Sequence, residues 1–253
     1  MTPSSILITG ASSGLGAALA LAYAAPGIRL ALGGRDRARL EAVANLCRAA
    51  GGEADIAEQD VTDRVAMARW IEQSDDARPL DLVIANAGIS GGSGASGLDG
   101  EEQVRRIFAV NVDGVFNTAL PAVRRMAARR HGQIALMASL AGYRGLPSAP
   151  AYCASKAAVK VFGEGLRGEL GGQGVRVSVI CPGYVETPLT QHNRFPMPFL
   201  MQSGRAAQII KRGLERDRAR IAFPWPMAAA VWLLQALPPG WIDGLLARLP
   251  KKG

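Results

Sequence analysis

The chain has 253 residues, long for one domain and short for two, and its 49% hydrophobic content is ordinary for a globular protein with a sizeable core. A formal net charge of +8 leaves nucleic acid, an anionic membrane surface or a phosphorylated ligand open as partners, beside the plainer reading of a solvated basic surface. Cys47, Cys153 and Cys181 are odd in number and far apart, and His131 and His192 have no partner at ligand spacing, so a disulfide framework and a His-based metal site are not expected and a reducing, cytoplasmic setting is.

Neither a signal peptide nor a transmembrane helix is expected, because no leader-like segment opens the chain and no uninterrupted apolar run reaches ~18 residues. Ser5 to Thr9 is a short β-branched apolar run that reads as a buried parallel strand. It leads into T-G-A-S-S-G-L-G, with Gly10, Gly14 and Gly16, and then into the helical pattern Leu15, Leu19, Ala22, Tyr23. Strand, glycine loop and helix are the context in which backbone N–H groups at a helix start can hold a pyrophosphate. The spacing is G-x-x-x-G-x-G, and by itself it fits a simple loop equally well.

Ile28 to Leu32 is the second strand, ending in Gly33-Gly34-Arg35-Asp36. An acidic residue at that point would bind a ribose 2′-hydroxyl; a small residue beside Arg35 suits a 2′-phosphate, which favours NADP(H) over NAD(H). The alternative for Arg35 is a surface arginine in the run R-D-R-A-R. Asp36 to Ala50 is an amphipathic helix with Leu40, Val43, Ala44 and Cys47 inward, stopped by Gly51-Gly52. Glu53 to Gln59 is a third strand, followed by Asp60-Val61-Thr62-Asp63 and a helix to about Gln73 capped by Thr62 or Asp63. Leu80 to Ala85 is a fourth, ending in Asn86-Ala87-Gly88. This alternation predicts an α/β, doubly wound parallel sheet of about seven strands with helices on both faces, and its ligand lies beyond the carboxyl ends of the strands.

Ile89 to Gly100 is a Gly/Ser-rich loop, and Glu101 to Arg130 one long helical stretch in which Asn111 sits in apolar surroundings. A buried amide there either satisfies backbone or holds water. Gly132 to Ser139 is the fifth strand and delivers a hydroxyl at its end. After a proline-broken loop, a helix from Ala151 to about Leu170 carries Tyr152 and Lys156 one turn apart on one face. An ammonium beside a phenol favours the phenolate; moving a phenol from pH ~10 to neutrality needs roughly 4 kcal/mol, part of it from such a lysine and more from a bound cationic nicotinamide. On its own the pair fits an ordinary helix with an exposed Lys and a half-buried Tyr. Val175 to Cys181 is the sixth strand, closed by Pro182-Gly183.

Taken in order, T9-G-A-S-S-G-L-G16, N86-A-G88, Asn111, Ser139, Y152-x-x-x-K156 and P182-G183 resemble the short-chain dehydrogenase/reductase family in its single-domain form, over roughly residues 4–190. The resemblance implies a Rossmann fold, one domain spanning 1–253, and hydride transfer between NADP(H) and a ketone or secondary alcohol. It implies Tyr152 as general acid/base, Lys156 on the nicotinamide ribose and lowering the Tyr152 pKa, Ser139 orienting the substrate oxygen, and Asn111 holding a relay water. The implied cofactor contacts are Thr9, Gly10, Ser12, Ser13, Gly14, Leu15 and Gly16 in the first loop and Arg35 after the second strand. Further along are Asp60 and Val61 at adenine, Asn86 with Ala87 and Gly88 at the neighbouring ribose, Pro182, Gly183 and Val185, and Thr187 at the carboxamide, with Tyr152 and Lys156 themselves. A homodimer or homotetramer through the Asn111 and Tyr152 helices is implied too. A non-catalytic NADP(H)-sensing or scaffold protein on the same fold is the alternative. No nucleic-acid partner is expected, since no recognised motif is present and the arginines are dispersed.

Residues 195–202, F-P-M-P-F-L-M-Q, fit an apolar pocket wall or a loop that only packs on the core. Gly204 to Asp217 is a helix and Arg220 to Phe223 a last edge strand. The apolar tail after it carries Trp225, Trp232 and Trp241, with Lys251-Lys252 at the end. It reads either as short helices over the pocket or a neighbouring subunit, or as an anchor at the inner membrane surface that reaches a lipophilic substrate.

Overall fold

The structure, a computed structural model, describes residues 3–91, 100–147, 149–191 and 196–246. Among these, seven strands form one parallel sheet in the order β3-β2-β1-β4-β5-β6-β7. They are β1 Ser5–Thr9, β2 Arg29–Gly34, β3 Glu53–Glu58, β4 Leu82–Ala85, β5 Gly132–Met137, β6 Val175–Pro182 and β7 Arg220–Phe223. The connecting helices are α1 Gly14–Tyr23, α2 Arg37–Ala49, α3 Arg64–Ala77, α4 Glu101–Phe108, α5 Gly114–Ala128, α6 Pro150–Leu170, α7 Pro188–Gln191 and α8 Ser203–Glu215; α9 Trp225–Ala236 and α10 Pro239–Leu246 follow the last strand.

Successive side chains of a strand point to opposite faces, so a strand apolar throughout must be covered twice. Ile6 and Ile8 of β1 join Leu30, Leu32, Leu19, Leu40 and Ile210 in the core layer under α1, α2 and α8. Leu7 and Val83 join Trp70, Ile71, Met126 and Val159 in the layer under α3, α5 and α6. The inner face predicted for α2 (Leu40, Val43, Ala44, Cys47) is buried as expected.

β4 and β5 are each two residues shorter than read, β4 starting at Leu82 and β5 ending at Met137, and three further differences have a physical cause. β2 runs on through Gly33 and Gly34, because the Trp70 ring packs on the bare backbone: a methyl group at Gly33 would lie 2.4 Å from it. α3 continues to Ala77 because its last turn is paid in hydrogen bonds. Buried Asp75 accepts from the Leu80 N–H at 2.8 Å and pairs with Arg125 and Arg129 at 2.6 and 2.9 Å. The stretch read as one helix from Glu101 is interrupted by a π-helical turn, Ala109–Asp113, centred on Asn111. Arg220–Phe223 is the edge strand anticipated. Between α3 and β4 the chain turns at Arg78, and α3's start is capped by Asp63, whose carboxylate accepts from the N–H groups of Val65 and Ala66.

Candidate active site

Strand order reverses between β1 and β4, and a crevice opens where the chain leaves them in opposite directions. The Thr9 hydroxyl oxygen accepts from the N–H groups of Asn86 and Ala87 at 3.1 and 3.2 Å. The Asn86 amide donates to the carbonyls of Thr9 and Gly10 at 2.9 and 3.3 Å. These bonds tie the two strand ends into one floor. A methyl group at Gly16 would lie 2.2 Å from the Gly10 carbonyl oxygen, and Gly10 and Gly14 hold φ of 67° and 54°, so the loop needs glycine for both space and conformation.

Ser13 opens α1 without a side-chain cap, and no acidic residue stands in the first turn, so its leading N–H groups face the crevice with the positive end of the helix dipole. Ser12 lies beside Gly34, Leu15 packs on the core, and Thr187 packs on Gly14, whose added methyl would lie 3.0 Å from the Thr187 Cβ. These residues fit a dinucleotide: glycine cradle, uncapped helix start and the two strand ends converge.

Along the same edge of the sheet, Arg35 is exposed directly after β2. The Thr62 N–H and hydroxyl hold the Asp60 carboxyl below the usual range against the effect of burial, and Arg35 and Arg106 add to this. Arg106, on α4, is a residue the sequence reading missed; only the fold brings it towards the same carboxylate as Arg35. Val61 is buried under α5, where Gly114 leaves room for it and Asn117 donates to its carbonyl at 2.9 Å.

Ser139 leaves β5 with its hydroxyl oxygen accepting from Ala141 N–H at 3.1 Å. The hydroxyl itself hydrogen-bonds the Tyr152 phenol and has the Pro182 carbonyl as a longer acceptor at 3.4 Å. Lys156, 3% exposed, donates to the Met137 carbonyl at 2.8 Å with its ammonium 5.8 Å from the centre of the Tyr152 ring. Burial pushes the Tyr152 phenol up to about 12, Ser139 opposing, and pulls Lys156 down to about 8. The lowering expected from Lys156 and a bound cationic nicotinamide together belongs to the cofactor-bound state; in the protein alone burial is the leading influence on the phenol. The Lys156 ammonium is engaged with the Met137 carbonyl at the end of β5, and removal from water dominates both groups.

Asn111 is fully buried. Its amide accepts from Ile89 N–H at 2.8 Å and donates to the Ile89 carbonyl and the Ser155 hydroxyl at 2.9 and 3.0 Å. It thus fastens the π-turn to the end of β4 and to α6. Gly88 lies between: a methyl there would lie 3.2 Å from the Asn111 amide oxygen and 3.3 Å from the Lys156 ammonium. Gly183 N–H bonds the Phe223 carbonyl at 2.8 Å, and buried Val185 bridges to Met201, closing the base of the loop that carries Thr187. All the predicted residues therefore lie at the carboxyl end of the sheet. Residue 195 and Lys251-Lys252 lie outside the described residues. Among the described residues no His/Cys/Asp/Glu group could hold a metal.

A parallel doubly wound sheet with this floor and this Ser/Tyr/Lys group defines a nucleotide-binding dehydrogenase. The short chain dehydrogenase family matches residues 4–196. An oxidoreductase of Myxococcus xanthus is 42% identical over 244 residues, 96% of each chain. A short-chain dehydrogenase from Sphingobium yanoikuyae, solved with NADPH, superposes with a TM-score of 0.81 at 25% identity, covering 98% of this chain and 97% of that one. A short-chain type dehydrogenase/reductase from Mycobacterium marinum gives 0.77 at 28% identity, covering 87% and 92%. The chain belongs to the short-chain dehydrogenase/reductase family. It is a nucleotide-binding oxidoreductase of that family.

Proposed function

We propose that the protein interconverts a ketone and a secondary alcohol with NADP(H), on a lipophilic substrate. The observation that carries this is the meeting of Ser139, Tyr152 and Lys156 above the β4–β5 strand ends. The nicotinamide, when bound, supplies or takes the hydride. With its phenol near 12, Tyr152 is protonated at neutral pH and suited to give a proton to an oxygen becoming alkoxide. Ser139 orients that oxygen. Lys156, a cation below about pH 8, stabilises the phenolate left behind. Arg35, exposed beside Gly34, favours a 2′-phosphate.

The lipophilic part rests on the roof. α9 packs on the turn after Ser139, Met227 approaches Gly183, and Arg144 donates to the Leu237 carbonyl at 3.0 Å. Trp225, Trp232, Leu233 and Trp241 of this tail remain exposed, as do Phe199 and Leu200. No charged residue occurs from Ile221 to Ile242, whereas Arg216, Arg218 and Arg220 precede that stretch. This composition favours peripheral contact with an anionic bilayer; no described helix is long and apolar enough to cross one. Exposed Leu120 of α5 and Val161 of α6, near the Phe116–Phe162 ring contact, favour pairing of two copies through these helices.

The test is a panel of ketones and secondary alcohols of increasing apolar bulk, followed by nicotinamide absorbance. Turnover that prefers NADPH and rises with bulk is expected. Tight NADPH binding with no turnover across the panel would identify a nucleotide sensor instead.

A further inference from the structure

A second group of ionisable side chains lies beside the catalytic one. Tyr143 ends the short 3₁₀ turn Leu140–Tyr143 that begins immediately after Ser139. Its hydroxyl interacts with the Cys181 thiol and with Arg220. The Lys160 ammonium lies over its ring, 4.7 Å from the centre, and the Arg220 guanidinium carbon is 5.5 Å away. Arg220 is in turn paired with Glu164. Lys160 stands one helical turn beyond Lys156 and is 6% exposed, so its cation has lost most of its water and is met by the face of an aromatic ring.

The turn therefore docks on α6 at two successive levels. A methyl group at Gly142 would lie 2.7 Å from the Lys156 backbone carbon, and Tyr143 sits against the Lys160 ammonium one turn further on. Ser139 is fixed to the same turn by the Ala141 N–H on its hydroxyl oxygen and the Gly142 N–H on its carbonyl at 3.0 Å. An apolar side chain could fill the Lys160 site without desolvating a charge. A cation over a ring face adds direction instead, because the attraction depends on where the charge sits over the ring.

We infer that Lys160 and Tyr143 are positioning residues: their contact holds the turn on α6 and so sets the Ser139 hydroxyl against the Tyr152 phenol. This rests on the ketone–alcohol reading for its catalytic consequence, but not for its structural one. The experiment combines hydrogen exchange over residues 139–146 with steady-state turnover, using NADPH and acetophenone as the probe ketone. Lys160→Met is compared with Lys160→Arg, Tyr143→Leu, Tyr143→Phe and the Lys160→Met/Tyr143→Leu pair.

In Lys160→Met and Tyr143→Leu, exchange in the 139–146 turn is expected to speed about tenfold. The kcat should fall about tenfold while the NADPH dissociation constant and melting temperature hold. Lys160→Arg and Tyr143→Phe, which keep cation and ring, should recover most of both, and the double variant should lose no more than the worse single one. Wild-type exchange in Lys160→Met, additive losses, or faster exchange with wild-type kcat would each overturn the inference. If the wild type leaves acetophenone untouched, the exchange arm and its double-variant comparison still decide the contact, and the turnover arm is repeated with the best substrate of the ketone and alcohol panel. If no member of the panel turns over, the ketone–alcohol reading has failed, not the contact.

Discussion

The crevice between β1 and β4 and the tail formed by α9 and α10 are built on opposite terms. In the crevice, Thr9 and Asn86 bond the backbone, Asn111 bonds the backbone and the Ser155 hydroxyl, and glycines stand where a single methyl would collide. In the tail, Trp225 and Trp241 are 78% exposed and α9 has no buried residue. A region so closely packed leaves little room for sequence change without loss of geometry, whereas an apolar surface tolerates change and can select what it touches. On the proposed function the crevice would hold the chemistry, and the tail would govern which molecules reach it and where.

The largest effect on stability and cofactor binding should come from breaking the crevice. Gly16→Ala places a methyl 2.2 Å from the Gly10 oxygen. It should cost about 3 kcal/mol of stability and weaken NADPH about 100-fold, read by melting and by fluorescence titration. Arg35→Ala should come next: NADPH weakened about 30-fold and NADH less than twofold, the loss of one charge-assisted phosphate contact. Equal losses for both cofactors would remove Arg35 from the phosphate site.

The pH dependence sharpens the division further. Burial raises the Tyr152 phenol to about 12, so the protonated form persists through neutral pH; it lowers Lys156 to about 8, so its charge fades as pH rises through that value. Ketone reduction should therefore hold at neutral pH and decline above about pH 8 with the Lys156 charge. Alcohol oxidation, which needs the phenolate, should rise with pH by up to about tenfold per unit. The smallest effect on chemistry should come from the tail. Replacing Trp225, Trp232 and Trp241 by Ser should change kcat on a small, water-soluble ketone by less than about twofold, yet abolish retention on anionic vesicles. A loss of turnover on the small ketone would show that the tail belongs to the chemical site. Substitution is preferable to truncation here, since Met227 and Val231 of α9 pack on the core beside the catalytic turn.

The strands were legible because apolar runs such as Ile6-Leu7-Ile8 require cover on both faces, a local property of the chain. The Tyr152–Lys156 spacing was legible as a helical face, but by itself it was compatible with an ordinary helix. The order of the motifs brought the site into view. What lay beyond reach depends on contacts distant in sequence: the Thr9 hydroxyl meets Asn86 across 77 positions, and Lys156 takes its carbonyl from Met137 on a different element. The π-turn at Asn111 was hidden because an apolar helical pattern does not record one extra residue in a turn. The upward shift of the phenol was hidden because burial is a property of the folded neighbourhood, not of the pair.

The account depends on the phenol of residue 152 as the proton carrier, and Tyr152→Phe tests this most directly, with turnover and NADPH binding measured on one preparation. The kcat should fall by at least about 1,000-fold while the NADPH dissociation constant stays within about twofold. Turnover within about tenfold of wild type, whatever the affinity, would contradict it.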